Sequence, residues 1–268
     1  MWFVALVKKT APQRFILAKM TRLPGIGRLF EKALFEGDDI IILPREEGTI
    51  VGEGLADGPD GGTVLPSRVV EHFIEEASHH WVMNTCICRE AAGCRDYPVD
   101  IGCLFLGEAV LGINPALGRL VTKEGALEHL ERSRDAGFFH VVGRNKLDAV
   151  WLGVGPGTRL LTVCNCCPCC CLWRVIPDIS ERISSKVTRM PGLKVIVGEK
   201  CVGCGTCEDV CFVGAIGVRG DRAVISDECR GCGQCAGACP EGAIEIAVED
   251  PEFIEKSIKR IASLVDVT

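Results

Sequence analysis

Cys201-Val-Gly-Cys204-Gly-Thr-Cys207-Glu-Asp-Val-Cys211 and Cys229-Arg-Gly-Cys232-Gly-Gln-Cys235-Ala-Gly-Ala-Cys239-Pro240 decide how this 268-residue chain is read. Both runs have the spacing C-x2-C-x2-C-x3-C, and the second carries a trailing proline. In that spacing three close thiolates wrap one [4Fe–4S] cube while the fourth reaches a second cube. The expected ligands are Cys201, Cys204, Cys207 and Cys239 for cluster I, and Cys229, Cys232, Cys235 and Cys211 for cluster II. A zinc ribbon needs only four ligands with longer gaps between its pairs; two complete runs side by side exceed that.

Around these runs the pattern is strand, cysteine loop, helix, repeated once. From Lys194 to Val248 the chain resembles the bacterial-type two-cluster ferredoxins, which carry electrons. The resemblance implies a βαβ–βαβ fold holding two [4Fe–4S] clusters. One residue departs from it: Phe212 follows Cys211 where the family usually has proline.

Net charge is −6, and it is local. From Pro191 onward 8 Lys and Arg face 13 Asp and Glu, a balance of −5, whereas the preceding 190 residues carry 22 against 23. An acidic surface over a cluster steers a basic docking surface of a redox partner toward it and repels nucleic acid. Eighteen cysteines bunched at ligand spacings, in a chain far longer than secreted disulfide scaffolds, imply a reducing, anaerobic cytoplasm with thiolates committed to metal. The apolar start Met1-Trp-Phe-Val-Ala-Leu-Val7 precedes Lys8-Lys9; it is too short for a transmembrane segment, has the wrong charge order for a signal peptide, and reads as a strand.

Working back from the C-terminus, Asp250 and Pro251 open an amphipathic helix with Phe253, Ile254, Ile258, Ile261, Ala262 and Val265 on its apolar face. Pro177 to Pro191 is serine-rich and mixed in charge, and reads as a linker. The expected organisation is an N-terminal cysteine-rich α/β domain over 1–176, a linker at 177–192, a two-cluster domain over 193–250 and a final helix over 251–268, in all an α+β chain. Within 1–176, Asp39–Leu43, Phe138–Val142 and Leu160–Val163 read as strands. Helices are expected from Arg28, from Pro66 to His79, over Val99–Val110, and after the cap Thr122. Trp81–Cys88 reads as extended, Glu47–Thr63 as a surface loop or hairpin, and Gly153–Gly157 as a turn. His79 and His80 read as surface or helix-capping residues.

Ten further cysteines lie upstream. Cys86-Ile-Cys88-Arg89 is followed by Cys94 and Cys103, and Cys164-Asn-Cys166-Cys167-Pro-Cys169-Cys170-Cys171 packs six cysteines into eight residues. Residues two apart on a strand share a face. If the strands carrying Cys86/Cys88 and Cys164/Cys166 are neighbours, four thiolates converge as a third Fe–S cluster. Cys167, Cys169, Cys170 and Cys171 then meet Cys94 and Cys103 on another side. One or two additional clusters, one larger cluster with bridging thiolates, zinc, a metal-free dithiol or persulfide centre and plain structural cysteines all stay open. Arg89 either offsets thiolate charge, grips an anion, or forms a surface salt bridge.

The C-x-C-R and C-N-C-C-x-C-C-C motifs, with Gly118–Leu127 and Gly137–His140, resemble a family of iron–sulfur proteins from strict anaerobes, including methanogen-like archaea, over Asp38 to the end. That family carries no settled activity, so it supplies a setting rather than a reaction. The expected function is low-potential electron transfer through two [4Fe–4S] clusters to or from a further cysteine-ligated centre or a partner enzyme. The alternatives are a reductase with an upstream active-site cluster, and a reductive-activation or cluster-assembly factor. No flavin, nicotinamide, phosphate-loop or Ser/His/Asp pattern stands out.

Overall fold

The computed structural model describes residues 9–46, 49–51 and 65–268. In chain order the helices are α1 (Arg14–Met20), α2 (Ile26–Leu34), α3 (Arg68–Glu76), α4 (Ile87–Ala92), α5 (Lys123–Asp135), α6 (Lys146–Leu152), α7 (Glu181–Ser184), α8 (Thr206–Asp209), α9 (Gln234–Ala238) and α10 (Phe253–Ala262). The strands are β1 (Asp39–Leu43), β2 (Thr49–Val51), β3 (His80–Met83), β4 (Leu104–Leu106), β5 (Gly118–Val121), β6 (Phe139–Arg144), β7 (Leu161–Cys166), β8 (Val187–Arg189), β9 (Leu193–Val197), β10 (Ile216–Arg219), β11 (Arg222–Ile225) and β12 (Ile244–Val248).

Seven strands form one sheet in the order β5-β3-β4-β7-β6-β1-β8. Every pair in it is antiparallel except β1 with β8. The N-terminal region is therefore α+β rather than the α/β layout expected, because it lacks the repeated parallel crossovers that layout requires. Ile40 to Leu43 of β1 are fully buried, as an apolar run inside a covered sheet should be. Helix α3 seals one face with Val69, Val70, Phe73 and Ile74 at helical spacing. The Thr122 hydroxyl accepts from the Gly125 amide and starts α5 as expected.

The C-terminal unit runs β9, loop, α8, β10, β11, loop, α9, β12, with β10–β11 and β9–β12 as antiparallel pairs. The two regions are knitted together. Strand β2 joins β12 in parallel, and one core contains Ile41, Val69 and Phe73 alongside Leu193, Ile216 and Ile244. The 177–192 stretch, expected as a linker, supplies α7 and the edge strand β8. Helix α10 buries Phe253 and Ile261, leaves Ala262 exposed, and places the Arg260 guanidinium on the Asp39 carboxylate of β1.

Three local expectations change. Val99–Val110 is not a helix: Leu104–Leu106 is a fully buried strand followed by a short 3-10 turn at Glu108–Gly112. Periodicity alone does not separate a short buried strand from a helix. The extended stretch from Trp81 ends at Met83, and Cys86 then opens α4. His80 is buried in β3, its Nε2 2.7 Å from the Ile74 carbonyl oxygen, whereas His79 is half-buried. The expected strand at Met1–Val7 and most of the loop at 47–63 lie outside the described residues. Among the described residues no helix is long and apolar enough to cross a membrane.

Candidate metal centres

In the C-terminal unit both cysteine loops use the same backbone device. Gly203 and Gly205 have φ of 66° and 84°, and their counterparts Gly231 and Gly233 have 65° and 79°. Only glycine adopts these values without strain, and repeated left-handed residues curl a loop around a centre. The first loop encloses a cavity walled by Cys201, Cys204, Cys207 and Cys239. The second cavity is walled by Cys229, Cys232, Cys235 and Cys211. The last cysteine of each run thus faces the other run's cavity. Backbone amides point at sulfur in both: Ala223 to Cys201 at 3.4 Å, Ala243 to Cys239 at 3.3 Å, Ala215 to Cys211 at 3.1 Å and Gly231 to Cys229 at 3.4 Å. Such bonds favour the charged, metal-bound thiolate. Cys204 is exposed, while Cys232 is buried against the large sheet. Burial pushes the Cys235 thiol up to about 12, so a thiolate there needs a metal to hold it.

The ten upstream cysteines divide six and four. Strand β7 carries Cys164 and Cys166, but its neighbours are β4 and β6, so β4 separates it from β3. The expected pairing of two cysteine-bearing strands is therefore not how the thiols meet. Cys86 and Cys88 instead arrive on α4, and the four thiols still line one cavity of about 330 Å³. Cys103 and Cys171 join them there. The Cys103 and Cys164 sulfurs are 3.4 Å apart, and those of Cys171 and Cys166 are 3.2 Å apart. A hydrogen bond from Cys88 brings the Cys86 thiol down to about 6 against the opposing effect of burial, and Arg89 assists. The opposite wall is apolar, with Leu17, Phe35, Trp151 and Trp173.

Cys94, Cys167, Cys169 and Cys170 form a second group, with all four sulfurs within 4.8 Å of one another, and Cys167 and Cys170 of this group also line the cavity. The expectation placed Cys103 and Cys171 in this group; both belong to the six-thiol cavity, because each lies against a β7 cysteine.

Arg89 links the two groups. It is 1% exposed, which excludes a surface salt bridge. Its guanidinium donates to the carbonyls of Asn165 (2.8 Å) and Ile101, and lies 4.2 Å from the Phe138 ring centroid. Burial works against its charge, yet Cys86, Cys167 and Cys166 nearby hold its pKa above the ordinary arginine value.

Residues 200–243 match the family model described as a 4Fe-4S dicluster domain. The C-terminal unit is a ferredoxin-like iron–sulfur domain. No curated protein and no solved structure matches the chain. The wider likeness, from Asp38 to the end, has no support in these comparisons.

Two features around the six-thiol cavity were not anticipated. Asn165 alternates with Cys164 and Cys166 on β7, so its side chain faces the other way. It donates to the Gly102 carbonyl at 2.8 Å and meets His140 Nδ1 at 2.9 Å and His129 Nε2 at 3.2 Å. Burial lowers His140 to about 4, so this ring is neutral. Asp148 lines the cavity itself and accepts from Trp151 Nε1 and Asn145 Nδ2, each at 2.7 Å. Burial raises it to about 6. The period-2 alternation of β7 contained the first signal; nothing in the sequence marked the second.

Proposed function

We propose that this chain is an iron–sulfur electron-transfer protein whose ferredoxin-like domain exchanges low-potential electrons with a metal centre in the six-thiol cavity. Cys201, Cys204, Cys207 and Cys239 take one four-iron cluster, and Cys229, Cys232, Cys235 and Cys211 take the other. Electrons enter from a partner at Cys204, the exposed cysteine among the described residues, where Glu241 at the cavity edge adds to an acidic surface suited to a basic partner. The observation that carries the reading is one apolar core containing Cys232 together with Cys166 and Cys171, so cysteines of the second cluster set and of the six-thiol cavity share a single packed unit. A continuous dry path of this kind keeps two redox centres close and shields them from solvent.

The test is iron, acid-labile sulfide and reductive titration on anaerobically purified full chain, followed by electron paramagnetic resonance. The expected result is more than the ~8 iron of two four-iron clusters, with a further species that reduces alongside them. About eight iron and no further species overturns the proposal.

One observation favours a second reading, a reductase. The cavity is roomy, apolar on one wall and edged by Asp148, whose raised pKa suits it to deliver a proton where electrons arrive. A small molecule that perturbs the third species, and only that species, would favour it.

A further inference from the structure

We propose that Cys94, Cys167, Cys169 and Cys170 bind a single zinc ion whose role is to pin the cysteine-rich turn beneath the six-thiol cavity. This site adjoins the cavity of the six thiols, which Cys167 and Cys170 also line, but its four sulfurs form their own group and the proposal does not depend on how the electron-transfer centres are assigned.

The sulfur spacing argues for one metal. Cys169 lies 3.7 Å from Cys94, 3.6 Å from Cys167 and 3.5 Å from Cys170. Four sulfurs at ~2.3 Å from a tetrahedral metal stand ~3.8 Å from one another. A four-iron cube places each thiolate on its own iron and spreads the sulfurs wider. The chain supplies its own comparison: among the described residues no other group of three or more ligand atoms lies within 4.8 Å of one another, and the two ferredoxin-type quartets do not.

The donor set points the same way. Four thiolates and no fifth ligand make a closed, soft, tetrahedral site, which is the structural zinc arrangement. Cys167 is 1% exposed and Cys170 7%, packed with Ile101 and Phe138, while Cys94 and Cys169 are half-buried. A four-thiolate zinc site carries net negative charge, and the buried Arg89 guanidinium faces Cys167. Position supplies the role. Cys94 follows α4, while the other three ligands occupy the turn between Cys166 and Cys171. Tying that turn to α4 holds Cys166 and Cys171 side by side at the cavity, with Cys86 and Cys88 fixed from the same helix.

The full chain, purified anaerobically, should contain one zinc in addition to its iron. Zinc-edge X-ray absorption on the unmodified protein should show four sulfurs at ~2.3 Å. Cobalt exchanged into the site should give the intense absorption bands of a tetrahedral thiolate complex. Cys94→Ser combined with Cys169→Ser should remove the zinc and leave the ferredoxin iron and sulfide unchanged. Absence of zinc from the unmodified protein, a zinc shell containing nitrogen or oxygen, or loss of ~4 iron from the double variant would each overturn the proposal. The absorption measurement keeps the test decisive if the variant does not fold. Failure of the electron-transfer reading would show in the iron count, independently of zinc.

Discussion

The ring of Phe212 stacks on that of Phe139, centroids 5.0 Å apart at 28°. Phe212 follows Cys211 directly, and Phe139 is the cross-strand partner of Cys166. The residue that departs from the usual ferredoxin proline is therefore the one that packs a wall of the second cluster cavity onto the large sheet. Phe→Ala in such a core costs ~3–5 kcal/mol, and Phe212→Ala is expected near the low end because the ring sits at a junction. Phe212→Leu should cost less than ~1.5 kcal/mol. Anaerobic urea unfolding checks both. Stopped-flow reduction should show slower electron arrival at the upstream centre in the alanine variant, with the ferredoxin clusters reduced at the normal rate. Equal rates would mean that the aromatic contact is structural only.

Arg89 is a buried cation surrounded by carbonyls, an aromatic face and thiols. Its value depends on what those thiols hold. With metal bound they are thiolates, and removing the charge leaves them uncompensated, at a cost of ~3–5 kcal/mol. Without metal, the buried charge itself is the liability. Arg89→Met should therefore destabilise the metal-replete chain, leave the metal-free chain unchanged or more stable, and lower the reduction potential of the upstream centre. Denaturation of both forms and a redox titration check this. A similar loss of stability in both forms would assign Arg89 to packing alone.

The ferredoxin-like repeat was legible because ligand spacing is a local property: each run writes its own loop, and its glycines write the loop's curl. The same holds for β1, α3 and the Thr122 cap. The upstream centres were legible only as a population of thiols. Which cysteines meet depends on strand order, and nothing near Cys86 or Cys164 says that β4 lies between β3 and β7. Proximity in sequence does not sort them either: Cys166 and Cys167 are adjacent, on a strand and a turn, and both line the cavity, yet only Cys167 joins the four-sulfur group. Strand β8 was hidden in a polar, serine-rich stretch because a short edge strand needs only one buried residue, here Val187.

Asp38 gives a pH prediction away from the metal centres. Burial, opposed by the Lys146 amide that bonds its Oδ1 at 2.7 Å, raises its carboxyl from 3.8 to about 7, and its Oδ2 has no partner among the described residues. The folded-state pKa lies above the unfolded one, so the folded chain holds this proton over a window where the unfolded chain has released it. Stability contributed by this group is complete below about pH 4 and falls as pH rises to 7, by up to about 4 kcal/mol. Asp38→Asn should flatten that slope: near-equal stability at about pH 4 and a clear gain at about pH 8. Parallel curves for the two proteins between these values would show that Asp38 is ionised in the folded state at neutral pH.

The Cys201–Cys207 loop, with its exposed Cys204, lies at the solvent side of the chain, whereas the second cluster cavity is packed onto the sheet through Cys232 and Phe212. Losing the first cluster should therefore be a local event. Cys201→Ser combined with Cys204→Ser is expected to remove ~4 iron and ~4 sulfide and leave the remaining metal in place. The strands beneath argue for this outcome, because β9 and β12 pair with each other and β12 also pairs with β2, so their ladder does not run through the first loop. Metal analysis and far-ultraviolet circular dichroism check it. Loss of all iron in the double variant would mean that the first cluster is a folding requirement for the whole chain, and that 193–250 and the preceding region form a single cooperative unit through the core in which Leu193 and Ile246 meet Ile41 and Phe73.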